Sequence, residues 1–434
     1  MSAVGEIGAS ALPSSGAGRL PVRRSLLRGG TLVLASTLVW HASNFAFNSV
    51  TARTLGPAKY SELAAAVALL YLASPLLVSL QAVSSGAATS LTVAGETDRI
   101  RGTLAFHLRR LAFTGALAAG GIALASTAIA RFLRVDSGVP IAILGVGLWL
   151  SVLTHCQRGV LQGTMRFGRY AASTLTEAAV KIGATVVLVV AVSRTVESAV
   201  LSVAIAAAVA LVVNTALLLF LPAGMQTNAA TSALARHRGP ALATFVLLAV
   251  LLSADVLAAK RYLPAAAAGV YASVSLSGKV VFFATSALSL VLFPHFTERR
   301  QHGLDARREL LAATAAVSAC SGVLAGLYFV VPGAVVRPLF GGAFGAAEPY
   351  LGWIAIAFGC YAVVYLAATY LLANGRWVGA AVLAVAVLAQ LAGLYSVHDT
   401  VGHVVAVQLV VLAGAAAALL VTALRGEGDG EVAT

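Results

Sequence analysis

Charge is scarce in this sequence. Only 10% of its 434 residues are Asp, Glu, Lys or Arg, where an ordinary soluble domain carries about 25%. A chain this long cannot cover itself in water with so few charges, which excludes a soluble globular class. Cysteine is nearly absent too. Cys156, Cys320 and Cys360 all lie in apolar runs without a CxxC pair, which excludes a disulfide scaffold and a zinc ribbon. No His/Asp/Glu metal cluster and no nucleophile–base pair is legible, so no metal, cofactor or enzymatic activity is expected. SGKVV (277–281) lacks the glycine and the Ser/Thr of a phosphate-binding loop. No filter-like loop suggests a channel.

What the sequence has is apolar length. Hydrophobic residues make up 59% of it, and a membrane-spanning helix needs about 20 in a row. Charged or turn-rich breaks divide the chain into twelve runs, near 30–50, 63–85, 111–130, 138–157, 171–193, 197–221, 240–259, 267–293, 310–331, 347–371, 377–396 and 402–423. The fold class is therefore an all-α polytopic membrane protein. The net charge of +13 follows the positive-inside rule rather than a nucleic-acid footprint. If the N-terminus is cytoplasmic, nineteen arginines fall in inner segments and eight Lys or Arg in outer ones, with Lys181 and Lys279 inside spans. Both termini are then cytoplasmic and the chain is a multi-pass protein of a bacterial plasma membrane. Residues 1–18 and 425–434 read as disordered tails, 19–222 and 240–424 as two six-helix bundles, and 223–239 as a cytoplasmic linker. A flexible outer turn is expected at FGGAFGAAE (340–348) and a kink at Pro75.

The bundles repeat each other. NSVTARTLGP (48–57) aligns with DVLAAKRYLP (255–264), placing Asn48 on Asp255 and Arg53 on Lys260. LQGTMRFGRYAA (161–172) aligns with LLANGRWVGAAV (371–382), placing Arg166 on Arg376. The offsets, 207 and 210, are nearly equal. Six is even, so two such units share one orientation and enclose a central cavity, as transporters with parallel halves do.

ARTLGPAKYSELAAAVAL (52–69), RGVLQGTMRFGRYAASTLTEAAVKIG (158–183) and KRYLPAAAAGVYASVSLSGKVVFFATSALSLVLFPHF (260–296) resemble segments of Wzx-type polysaccharide exporters, the oligosaccharide-flippase branch of the multidrug/oligosaccharidyl-lipid/polysaccharide (MOP) superfamily. The resemblance covers most of 25–424. It implies two bundles set in a V around a cavity, and flipping of an undecaprenyl-pyrophosphate-linked oligosaccharide to the outer leaflet. Polysaccharide polymerase and glycosyltransferases would be partners, and the chain would be a monomer. The lipid II flippase remains an alternative, though its arginines in the first two helices have no counterpart here. So does a MATE-like cation-coupled drug antiporter. GETDRIRG (95–102) only loosely matches a major-facilitator loop.

Lys279 lies near the middle of the eighth run. Either it faces the cavity and meets the pyrophosphate, or it forms a structural ion pair or snorkels outward. Arg53 and Lys260, the repeat-related pair at the outer ends, either receive the anion as it emerges or anchor headgroups. Glu177 and Lys181, spaced i,i+4 on one helical face, either line the cavity or neutralise each other. Asp255 either binds a coupling Na⁺ or H⁺, as a helix 7 acid does in some relatives, or forms a salt bridge with Lys260 or Arg261.

Overall fold

The computed structural model describes the backbone of residues 19–220, 239–301 and 306–425, and the side chains of 30–220, 241–285 and 306–425. The expected tails and linker lie outside the described residues, except that Gly239 and Arg425 belong to helices. The elements are α1 (Arg19–Val93), α2 (Arg99–Leu133), α3 (Val139–Gly163), α4 (Phe167–Thr185, continued as a wider turn over Val186–Val192), α5 (Val196–Leu218), α6 (Gly239–Tyr262), α7 (Ala265–Gln301), α8 (Arg307–Val330), the short α9 (Pro332–Phe340), a tight turn at Gly342–Tyr350, α10 (Leu351–Ala373), α11 (Val378–Ser396) and α12 (Val401–Arg425). Among the described residues there is no strand, as expected where lipid can satisfy no backbone group.

Among the described residues eleven segments are long and apolar enough to cross a bilayer, and the first of them, Gly30–Val93, is two crossings in one. Gly56 has φ 72 and ψ 170 inside an otherwise helical stretch. The Tyr60 hydroxyl donates to Asn48 Oδ1 at 3.2 Å. In a straight helix those residues would stand about 18 Å apart, so the chain folds back at Gly56. The positive φ suits glycine alone among common residues. The break falls there rather than at Pro75, through which the backbone stays helical. With this division the described residues make twelve crossings, at the positions the apolar runs mark.

On the helices small residues tend to face inward and large apolar ones outward. On α2, Phe113, Leu117 and Leu124 are 63–89% exposed, while Ala119, Ser126 and Ala130 face inward. Between transmembrane helices no water is displaced, so close backbone approach supplies the packing. On α3, Gly159 and Gly163 lie against the second arm of α1. A Cβ at either would come within 2.3 Å of the Gln81 carbonyl or 2.2 Å of that of Ser85. Polar ties flank this contact: Gln81 donates to Gln162 at 3.1 Å and Thr89 to the Gly163 carbonyl at 3.1 Å.

The repeat is visible in the backbone. Met165 (φ 56) and Gly375 (φ 69) both take the left-handed conformation one residue before Arg166 and Arg376. Arg166 N–H bonds the Leu161 carbonyl at 2.8 Å and Arg376 N–H that of Leu371 at 2.9 Å. The two turns are copies, residue for residue, at an offset of 210.

The helices before and after the linker meet at the end of the bundle where Gly56 and Pro264 turn, hereafter the hairpin end. There one apolar core joins Phe47, Tyr60 and Leu63 to Tyr271, Phe340 and Phe344. Toward the opposite end, α1 to α5 keep a separate core of Ala88, Leu91, Ile100, Leu104, Cys156, Val160, Leu161 and Leu218. This is the V expected from the sequence, joined at the hairpin end. FGGAFGAAE corrects its expectation as a flexible turn. Phe344 and Ala347 are fully buried, and Phe344 meets Tyr60 edge-on at 5.7 Å, plugging the joined end.

Candidate functional site

The joined end is sealed by contacts that run from one half to the other. Gly269 approaches the Pro57 backbone so closely that a Cβ would lie 1.8 Å from the Pro57 carbonyl oxygen. Lys260, 3% exposed, donates to Ser61 Oγ at 3.1 Å and stands 3.8 Å from Glu62. Arg53 donates to the Arg337 carbonyl at 3.0 Å, and Ser49 donates to that of Leu339. The repeat-related cations Arg53 and Lys260 are thus both committed to this seam. The expected Asp255–Lys260 or Asp255–Arg261 salt bridge is not formed. Arg261 lies over the Phe132 ring at 5.4 Å.

Just inside the seal is a cavity lined by Asn48, Tyr60, Tyr71, Val256, Leu276 and Lys279, among others. It lies between the two arms of α1 on one side and α6 and α7 on the other. Lys279 is about 21 Å along α7 from Ala265, and its ammonium is 5.5 Å from the Tyr71 ring centroid. Tyr71 and Lys279 are 208 residues apart, within the range of the repeat offsets, so near-equivalent positions of the two halves face each other across the cleft. The small residues beside Lys279 do not make room for a ligand, as their size suggests. Gly278 packs on the Phe358 ring, and Ser275 donates to Asp255 Oδ2 at 2.7 Å. Further along the cleft, the His41 ring packs on Phe283 at 5.0 Å.

Asp255 is fully buried. Tyr271 also donates to its Oδ2, at 2.8 Å, so α7 folds back on α6 through a tyrosine as the two arms of α1 do through Tyr60 and Asn48.

Glu177 and Lys181 are placed elsewhere, inside the first half, and they do not pair with each other. Glu177 takes Arg158 at 2.7 Å and accepts from Trp40 Nε1 at 3.1 Å. Lys181, 3% exposed, donates to Asn44 Oδ1 and lies 5.1 Å over the Trp40 ring. In the second half Gln390 ties α11 to the Leu251 carbonyl of α6 at 3.0 Å. Asn44 and Leu251 differ by the repeat offset of 207, so Lys181 and Gln390 brace corresponding helix pairs. Arg158 was assigned to an inner segment because it falls one residue past a predicted span. It is buried in α3, five residues before its end, and holds Ser173 as well. Sequence reasoning also passed over Glu62 and Tyr71. Tyr71 was signalled only by its offset from Lys279, and Glu62 by being an acid beside a repeat boundary.

Twelve crossings in two repeated groups around a cleft define a transporter fold. The chain belongs to the polysaccharide biosynthesis protein family, whose model matches residues 50–349, a Wzx-like flippase family. Among curated proteins, none matches the chain in sequence. Solved structures do match in fold. An inward-facing multidrug resistance MATE family transporter of the MOP superfamily aligns with a TM-score of 0.76 at 11% identity, covering 91% of this chain and 97% of that one. An outward-facing structure so described gives 0.63 at 12% identity, covering 92% and 94%. The Vibrio cholerae MATE transporter VcmN in its bent form gives 0.59 at 16% identity, covering 93% and 98%.

Proposed function

We propose that this chain flips an undecaprenyl-pyrophosphate-linked oligosaccharide from the cytoplasmic to the outer leaflet of a bacterial plasma membrane by alternating access. The observation that carries the reading is Lys279, a cation held inside the bilayer on the wall of the cavity between the halves. An amine there offsets the desolvation of an anion crossing the membrane. The same charge disfavours the drug-antiporter alternative, since a lysine repels the cationic compounds such a pump would carry. It leaves the lipid II alternative open as a related pyrophosphate substrate.

On this reading both termini are cytoplasmic, the hairpin end faces outward, and residues 19–222 and 240–424 are the two bundles that rock about it. The structure then corresponds to a state open to the cytoplasm. Arg53 and Lys260 become available to the pyrophosphate only when the seam parts. Asp255 is the residue for a coupling Na⁺ or H⁺. Glu177 and Lys181 serve as braces of the first bundle rather than as cavity lining. The prenyl tail stays in lipid while the head group crosses, so the seam between the first arm of α1 and α7 must open laterally past His41 and Phe283. A polysaccharide polymerase and glycosyltransferases are the partners this substrate implies.

The test is export of surface polysaccharide in cells, normalised to folded protein. Lys279→Arg should retain most of the export, and Lys279→Met should lose most of it while still inserting, because removing the charge lowers the insertion penalty. Full export by Lys279→Met would end this reading.

A further inference from the structure

Three lysines of the chain are buried, Lys181, Lys260 and Lys279, and two of them are tied by hydrogen bonds. Lys260 donates to Ser61 beside Glu62, and Lys181 donates to Asn44. Lys279 differs. It is 4% exposed, yet its ammonium makes no hydrogen bond or ion pair among the described residues. Two other polar side chains on its cavity are already spent within the first half. Tyr60 donates to Asn48, and the Asn48 amide donates to the Asn44 carbonyl at 2.8 Å.

What the ammonium has instead is a ring. Tyr71 stands about 21 Å along the second arm of α1 from Pro57, the same depth as Lys279 along α7 from Ala265. Its ring centroid lies 5.5 Å from Lys279 Nζ, on the same cavity. The face of an aromatic ring attracts a cation through its quadrupole, more strongly where both are out of water. An acid in this place would cancel the charge and occupy its donors. A ring stabilises the charge and leaves the N–H groups pointing away from it unspent. The lysine stem is long and flexible, so a contact from the opposite half also fixes where its charge stands.

We infer that Tyr71 is the positioning residue of this anion site. From the first half, its ring holds the Lys279 ammonium at the cavity wall, where phosphate or pyrophosphate oxygens can take its donors. The inference rests on the reading of Lys279 as an anion site, and it makes that site the joint product of both halves.

The experiment measures farnesyl pyrophosphate binding to the full-length protein in nanodiscs. Tyr71→Phe keeps the ring and should bind like wild type, while Tyr71→Leu should bind about 2- to 30-fold more weakly, the range of a partly to fully desolvated cation–ring contact. Phenylalanines carrying one, two or three ring fluorines at position 71 are a second measurement, near in size to the parent and independent of how Tyr71→Leu folds. Fluorine draws charge from the ring face, so affinity should fall stepwise with its number, which a role in packing alone would not produce. A flat fluorine series overturns the inference. So does a loss in Tyr71→Phe as large as in Tyr71→Leu, which would assign the residue to its hydroxyl. If Lys279→Met weakens binding while Tyr71→Leu and the fluorine series change nothing, the anion site stands and only the role of Tyr71 fails. If wild type does not bind the probe, or Lys279→Met binds it equally, the anion site itself falls and the inference with it.

Discussion

Adding one methyl group at Gly269 should move the whole molecule. A Cβ there would lie 1.8 Å from the Pro57 carbonyl oxygen and 2.5 Å from its carbon. Carbon–oxygen contacts of even the closest favourable kind need about 3.3 Å, so the two turns must part by about 1.5 Å. The obstacle on both sides is backbone, which cannot rotate away as a side chain can. Overpacking of this kind costs about 1–3 kcal/mol. The strain exists only while the hairpin end is closed, so it weighs on one conformation and not the other. At about 1.4 kcal/mol per tenfold, Gly269→Ala should shift the population toward opening at this end by about 5- to 150-fold. Spin labels on Lys59 and Ala266, exposed residues on opposite sides of the seam, would report it as a longer distance. Gly322→Ala is the control, since a Cβ there meets nothing within 4 Å and any helix-propensity gain of up to ~1 kcal/mol acts equally in both states. An unchanged distance distribution in a well-folded Gly269→Ala protein would refute the argument that this contact limits opening.

The Lys260–Glu62 pair predicts a related pattern. Glu62→Lys should loosen the closed seam by placing two cations together, and adding Lys260→Glu should restore it; labelling of a cysteine at Ser61 would follow both changes, and failure of the double variant to restore protection would count against a latch. Arg158 and Glu177 predict an effect on folding instead. Removing either alone leaves a largely buried charge unpaired and should cost about 3–5 kcal/mol, seen as lost folded yield and a lower melting temperature. Replacing both with Met and Leu should recover most of it, because a well-packed apolar pair substitutes for a buried ion pair.

The spans were legible because lipid imposes a rule on composition that extends along the chain, and twelve apolar runs met it. The repeat was legible because both copies keep their turn signals, Pro57 with Pro264 and Arg166 with Arg376. Partners were not. Asn44 and Lys181 stand 137 positions apart, and nothing in either segment marks the other as its neighbour. The i,i+4 spacing of Glu177 and Lys181 pointed to each other, while the folded chain offered Glu177 an arginine from another helix. Arg158 was misread for the opposite reason, since a cation just past an apolar run looks like a loop residue when the helix goes on. Lys279 drew attention because a cation within a span is costly; in the structure it lines the same cavity as Tyr71, its near-equivalent in the other half.

The split between the shared core and the separate one sets how the molecule comes apart. Residues packed in a core that both halves share can open only when both halves loosen together. The eight side chains from Ala88 to Leu218 answer to their own small cluster, so their backbone amides can exchange through a local fluctuation far smaller than global unfolding. Heat or a harsh detergent will therefore loosen this end of the first half first. Such a protein would still look compact and mostly helical, and would still be clasped at the other end, after losing the firmness that lets one half push against the other. For this fold, a high melting temperature read from the hairpin end is no measure of whether the carrier still works.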